Sequence, residues 1–240
     1  TLTGELTNLD DDGFEGPIPI LRDDAEDVPV TIPVNPAFSP DGSRIAFESR
    51  IQDTVSSGEI YVNGEIYVMN ADGTNRVRLT DDRNPDAYPA WSPDGTRIAY
   101  MGTSASGNFD LYVMNADGTN RVNLTNDPAD DTEPAWSPDG NRIVFAKAVG
   151  GVGLDIFMVN ADGTNLVQLT TLGYADQPSW SPDGRVIAFT LYPPCEDPNP
   201  VSHDPNCVQP VKILMLRLTD RHVFELPQPG VSAFYPSWRP

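Results

Sequence analysis

Lysine is nearly absent: Lys147 and Lys212 are the only two in a chain of 240 residues. Lys and Arg together number 15 against 35 Asp and Glu, giving a net charge of -20. A field of that sign repels phosphate backbones and anionic headgroups, which argues against nucleic acid or an anionic membrane as partner. It suits divalent cations, basic partners and solubility. No apolar run approaches the ~20 residues of a membrane helix, so membrane insertion is not expected. The N-terminal Thr-Leu-Thr-Gly-Glu has neither an initiator Met nor the basic-then-apolar order of a signal peptide. It reads as a mature chain or an excerpt.

Histidine is equally scarce, with only His203 and His222, and no G-x-S-x-G nucleophile elbow occurs. Carboxylate pairs of the kind a glycosidase uses are abundant, but in an acid-rich chain they carry little information. The chain reads as a non-enzyme, with a glycan-active hydrolase as a distant alternative. The two cysteines, Cys195 and Cys207, share one proline-rich insert, "PPCEDPNPVSHDPNC". A pair so close in a loop reads as a disulfide and an oxidising compartment. The rival, a metal pair helped by His203, does not fit usual zinc spacings.

What the chain has in quantity is repetition. "PAWSPDG" occurs at 89–95 and 134–140, and "PSWSPDG" at 178–184. Trp91, Trp136 and Trp180 lie 45 and 44 residues apart, and "NADGTN" begins at Asn70, Asn115 and Asn160. Phe38 opens an earlier copy and Trp238 a later one. A period near 45 residues built of strand-like segments signals β-propeller blades of four strands. Each SPDG precedes a short apolar run ("RIAF", "RIAY", "RIVF", "VIAF"), and a second run follows ("IYVM", "LYVM", "IFMV", "ILML"). Runs this short and this apolar are strands buried on both faces. "VRLT", "VNLT" and "VQLT" alternate, as suits a strand with one wet face. Pro-Asp-Gly and Asn-Ala-Asp-Gly are turn formers, so Asp41, Asp94, Asp139 and Asp183 are expected to close turns rather than perform chemistry.

These residues carry a resemblance. Trp-Ser-Pro-Asp-Gly, then Arg-Ile-Ala-Phe, then Ile-Tyr-Val-Met-Asn-Ala-Asp-Gly-Thr-Asn, resemble the TolB-like propeller repeats, which also occur in propellers of prolyl-oligopeptidase-like peptidases. The resemblance spans roughly residues 35–190. It implies a periplasmic or extracellular all-β propeller of four-stranded antiparallel blades that binds partners, with a peptide received at the channel mouth. Such rings usually have six blades. This sequence shows five first strands, which predicts five blades in a single domain over 1–240. The blades fall at 35–80, 87–125, 132–170 and 176–227, and 232–240 is the first strand of a fifth. The N-terminal arm, 1–34, is expected to complete that blade, since an open edge invites pairing.

Three groups of residues are candidates for function. One residue per blade precedes the Pro before each Trp or Phe, namely Asn35, Tyr88, Glu133, Gln177 and Tyr235. These are expected to ring the channel mouth and hold a protein or peptide. The loops leading into the blades are acidic, and Asp127, Asp130 and Asp131 offer oxygens for calcium. Asn8, Asp10 and Asp12, followed by Gly13, match the first half of a D-x-D-x-D-G calcium loop. No cofactor is required by this reading, and calcium is the one cation it entertains. The leading function is a non-catalytic binding scaffold whose partner sits on the acidic lead-in face. The alternative is a calcium-dependent subunit that assembles with itself through the N-terminal arm.

Overall fold

The computed structural model describes residues 32–54, 60–81, 84–151, 153–192 and 211–225, together with Pro236 and Trp238. Ile32–Phe38 (β1), Arg44–Thr54 (β2), Ile60–Asn70 (β3) and Val77–Arg78 (β4) form one sheet in that order. Asp86–Trp91 (β5), Arg97–Thr103 (β6), Phe109–Asn115 (β7) and Val122–Asn123 (β8) form the second. Asp131–Trp136 (β9), Arg142–Val149 (β10), Gly153–Asn160 (β11) and Val167–Gln168 (β12) form the third. Ala175–Trp180 (β13), Val186–Leu191 (β14), Lys212–Arg217 (β15) and His222–Glu225 (β16) form the fourth. All twelve pairings within these sheets are antiparallel. Each sheet is one period of the repeat, so the protein is all-β and built as propeller blades.

The repeat's composition follows from how blades stack. In the second strand, Ile and Phe or Tyr face the preceding blade, while the small residue between them faces the next. Ala46 therefore packs with Trp91, Ala99 with Trp136, and Val144 with Trp180. The small side chain leaves room for the following blade's indole, and a larger one would overpack the joint. The indole N–H of each Trp donates at 3.1 Å to a first-strand carbonyl of the blade before it: Trp91 to Ala37, Trp136 to Ala90, Trp180 to Ala135. A guanidinium from that same preceding blade covers each ring, with Arg44, Arg97 and Arg142 at 4.5, 4.5 and 4.9 Å from the centroids. Blade four has Val186 at the position of these arginines.

The turns behave as their composition demands. Asp41 accepts from the Ser39 hydroxyl at 2.6 Å and from the Ser43 N–H at 3.0 Å, and the other three SPDG copies repeat the pattern. The Ser39 and Ser92 hydroxyls, with neighbouring backbone N–H groups, hold the Asp41 and Asp94 carboxyls down at about 2. In blade one the doubled "GEIYV" makes a longer hairpin. β2 and β3 pair without interruption from Arg44 opposite Asn70 to Thr54 opposite Ile60. The second copy takes the repeat's place and the first extends the strand.

Beyond the four sheets, Trp238 donates its indole N–H to Ser179 O at 3.3 Å, the relation each earlier Trp has to the blade before it. Phe38, at the corresponding position of blade one, is 55% exposed. The last residues of the expected arm 1–34, 32–34, begin β1 and pair with β2 of blade one. Residues 1–31 and most of 232–240 lie outside the described residues, as does the Cys195–Cys207 pair.

Candidate functional site

Each first strand carries the same irregularity. The ladder slips between Val34 and Ala37, Ala87 and Ala90, Thr132 and Ala135, and Asp176 and Ser179. Inside each slip sits a non-glycine residue in the left-handed region: Asn35, Tyr88, Glu133 and Gln177, with φ of 51, 53, 54 and 54°. Proline follows every one. For an L-residue this region costs roughly 1–2 kcal/mol, and such bulges serve to re-aim a side chain. Here they re-aim four side chains to one place. The four residues line a single cavity of about 270 Å³ whose wall is completed by Pro36, Pro89, Pro134, Pro178 and Pro236. Thus four of the five expected mouth residues are brought together. Tyr235 lies outside the described residues, although its neighbour Pro236 takes the fifth proline's place.

The rim is fastened by hydrogen bonds. Asn35 Nδ2 donates to Glu48 Oε2 at 2.8 Å. Gln177 Oε1 accepts from Thr190 Oγ1 at 2.9 Å and from the Tyr192 hydroxyl at 3.4 Å. The Gln177 N–H donates to Glu133 Oε2 at 2.9 Å, linking blades three and four across the rim. Burial, and then the Asp176 carboxyl hydrogen-bonded beside it, push Glu133 far above the ordinary carboxylate range. Glu133 therefore keeps its proton through neutral pH. Among the described residues, no basic side chain lines the cavity.

The acids of the loop before blade three have other tasks. Asp127 and Asp131 both meet Lys147, whose Nζ stands 2.7 Å from Asp127 Oδ2 and 2.9 Å from Asp131 Oδ1. Asp130 turns away and accepts the Phe109 N–H at 2.9 Å. Burial raises Asp131 to about 6 despite the ammonium beside it. Lys147 is pulled down by burial and raised more strongly by its two carboxylates, so that its net shift is upward. Among the described residues, no three His, Cys, Asp or Glu side chains are grouped to hold a metal ion. Asn8, Asp10 and Asp12 lie outside the described residues.

Sequence reasoning passed over Glu48, Thr190 and Lys147. Each interrupts or ends an apolar second strand, and a polar residue at that place in a doubly buried strand was the available signal. It also passed over Leu172 and Tyr174, which stand where the corresponding loop before blade three carries acids.

Residues 89–193 match the family model of the TolB β-propeller domain. A Tol-Pal system protein TolB from Aromatoleum aromaticum is 41% identical over 59 residues, 25% of this chain and 13% of that protein. Dipeptidyl-peptidase 5 from Porphyromonas gingivalis is 35% identical over 65 residues, 27% of this chain and 9% of the peptidase. The chain thus matches only a small part of either relative's length. Among solved structures, a protein assigned as TolB from Agrobacterium tumefaciens superposes with a TM-score of 0.64 at 25% identity. That alignment covers 82% of this chain and 65% of the other.

Proposed function

We propose, from a chain whose repeats are TolB-like β-propeller repeats, that this protein is a non-catalytic, extracytoplasmic scaffold that receives a partner peptide at its channel mouth. The observation that carries the proposal is the convergence of Asn35, Tyr88, Glu133 and Gln177 on one cavity, each held in a costly backbone conformation. Scaffold strain repeated in four blades, always aiming a polar or aromatic side chain at the same space, fits a binding rim. The wall of prolines beside Tyr88 offers rigid apolar area, while the amides of Asn35 and Gln177 and the Glu133 carboxyl offer hydrogen bonds. The Tol-Pal relative supports a protein partner. The peptidase relative aligns over only 9% of its own length, and a propeller can accompany a catalytic domain without sharing its chemistry.

The test is to pan a phage-displayed library of random peptides on the immobilised protein, then titrate selected peptides into wild type, Tyr88→Ala and Gln177→Ala. Loss of about tenfold or more in affinity, ~1.4 kcal/mol, in variants that still unfold cooperatively above the assay temperature, is the expected result. Selected peptides that bind both variants as they bind wild type would overturn the proposal.

A further inference from the structure

The loop joining blades three and four differs from those before it. The preceding loop reads Asn126-Asp127-Pro128-Ala129-Asp130, whereas this one reads Thr171-Leu172-Gly173-Tyr174. Leu172 and Tyr174 are 40% and 37% exposed. A mobile loop would fold such side chains inward, but this loop is held from beneath. The Leu172 and Gly173 N–H groups donate to Asp155 Oδ1 at 2.7 and 3.2 Å, and Asp155 is buried. Tyr174 forms a parallel bridge with Leu154, and its carbonyl accepts the Tyr192 N–H at 3.0 Å. Gly153 lies so close to Gly173 O that a β-carbon would not fit between them. Two apolar side chains are thereby kept at the surface by a buried carboxylate and two backbone clamps. An apolar surface fixed open has little ordering cost left to bear on binding.

Tyr192 makes this surface continuous with the mouth. Its backbone clamps Tyr174, and its hydroxyl donates to Gln177 Oε1 on the rim. We infer that the docking surface runs from the mouth out over Leu172 and Tyr174, which receive an apolar side chain of the same extended peptide segment. This rests on the mouth being the partner site. Tyr174 and Gln177 are three residues apart along an extended strand, roughly 10 Å. An extended peptide covers that span in three residues, so the apolar side chain belongs three positions from the residue anchored in the mouth. The acidity of the remaining lead-in loops disfavours Asp and Glu in the segment.

The experiment uses the mouth-dependent peptides selected above, titrated into Leu172→Asp, Tyr174→Asp and, as an exposed apolar control on the outer rim, Val122→Asp. Both loop variants are expected to weaken binding by about tenfold or more, with Val122→Asp unchanged. Replacing the peptide's apolar residue by Ala is expected to abolish that sensitivity. Peptides that still require Tyr88 and Gln177 but bind the loop variants like wild type would overturn this inference and leave the mouth reading standing. Peptides indifferent to Tyr88 and Gln177 would overturn both.

Discussion

The indole N–H of Trp136 donates at 3.1 Å to the carbonyl of Ala90 on the preceding blade, under the guanidinium of Arg97. The Trp is at once core, donor and cation–π partner of the joint between blades two and three. Trp136→Ala is expected to destabilise by roughly 3–5 kcal/mol, as for other buried aromatic truncations. Trp136→Phe keeps an aromatic ring but loses the donor and part of the indole's volume, so it is expected to cost more than the about 1 kcal/mol of the hydrogen bond and less than Trp136→Ala. Urea unfolding of the two variants checks the order. If Trp136→Ala left the midpoint unchanged while ending partner binding, the Trp would be a ligand contact instead.

Glu133 and the turn aspartates pull stability in opposite directions with pH. An unfolded Glu titrates near ~4.3, whereas burial and then Asp176 raise Glu133 to about 9 in the folded protein. Between those values the folded state holds a proton that the unfolded chain has released. This contribution is complete below the unfolded value and is lost as pH rises toward about 9. Asp41 and Asp94, lowered to about 2 by their Ser hydroxyls and backbone donors, behave oppositely. Their contribution is present above ~3.9 and disappears as pH falls through about 2. Glu133→Gln, which cannot lose its proton, is expected to flatten the alkaline decline of the urea midpoint. An unchanged alkaline limb would contradict the raised Glu133.

Lys147 neutralises acids that cannot leave. It is 8% exposed and Asp131 is fully buried, so Lys147→Met would strand a carboxylate without its ammonium. A loss of about 3–5 kcal/mol is expected, measured by chemical unfolding at neutral pH. Adding Asp131→Asn to Lys147→Met is expected to recover part of it. A double variant no more stable than Lys147→Met would show that Asp131 does not depend on the lysine.

Much of the fold was legible in the residues alone. Ile143 and Phe145 on one face and Val144 on the other gave the doubly buried strand, because a blade must satisfy two neighbours. The Pro after Asn35, Tyr88, Glu133 and Gln177 gave the rim positions by alignment. Their left-handed backbone was not legible, since nothing in Tyr88 or Glu133 as residue types favours that region, and only the strand slip explains it. The partnership of Lys147 with Asp127 and Asp131 was also hidden. Sequence spacing places Asp127 in a loop and Lys147 at the far end of a second strand, and only the pairing of β10 with β9 brings them together. The loop acids accordingly read as free oxygens when all three were already engaged. The fifth blade's completion by the N-terminal arm lies beyond the described residues, with Pro236 and Trp238 in the places that a fifth first strand requires.

The most direct test of peptide capture at the channel mouth is to locate a bound peptide on the protein. A selected peptide carrying a benzophenone photoprobe is irradiated in complex with the full chain, and the cross-linked residues are identified by mass spectrometry. Adducts are expected at 34–36, 87–89, 132–134 and 176–178, the four segments whose bulges face the cavity. Adducts confined to the outer strands at 77–78, 122–123 and 167–168 would contradict binding at the mouth.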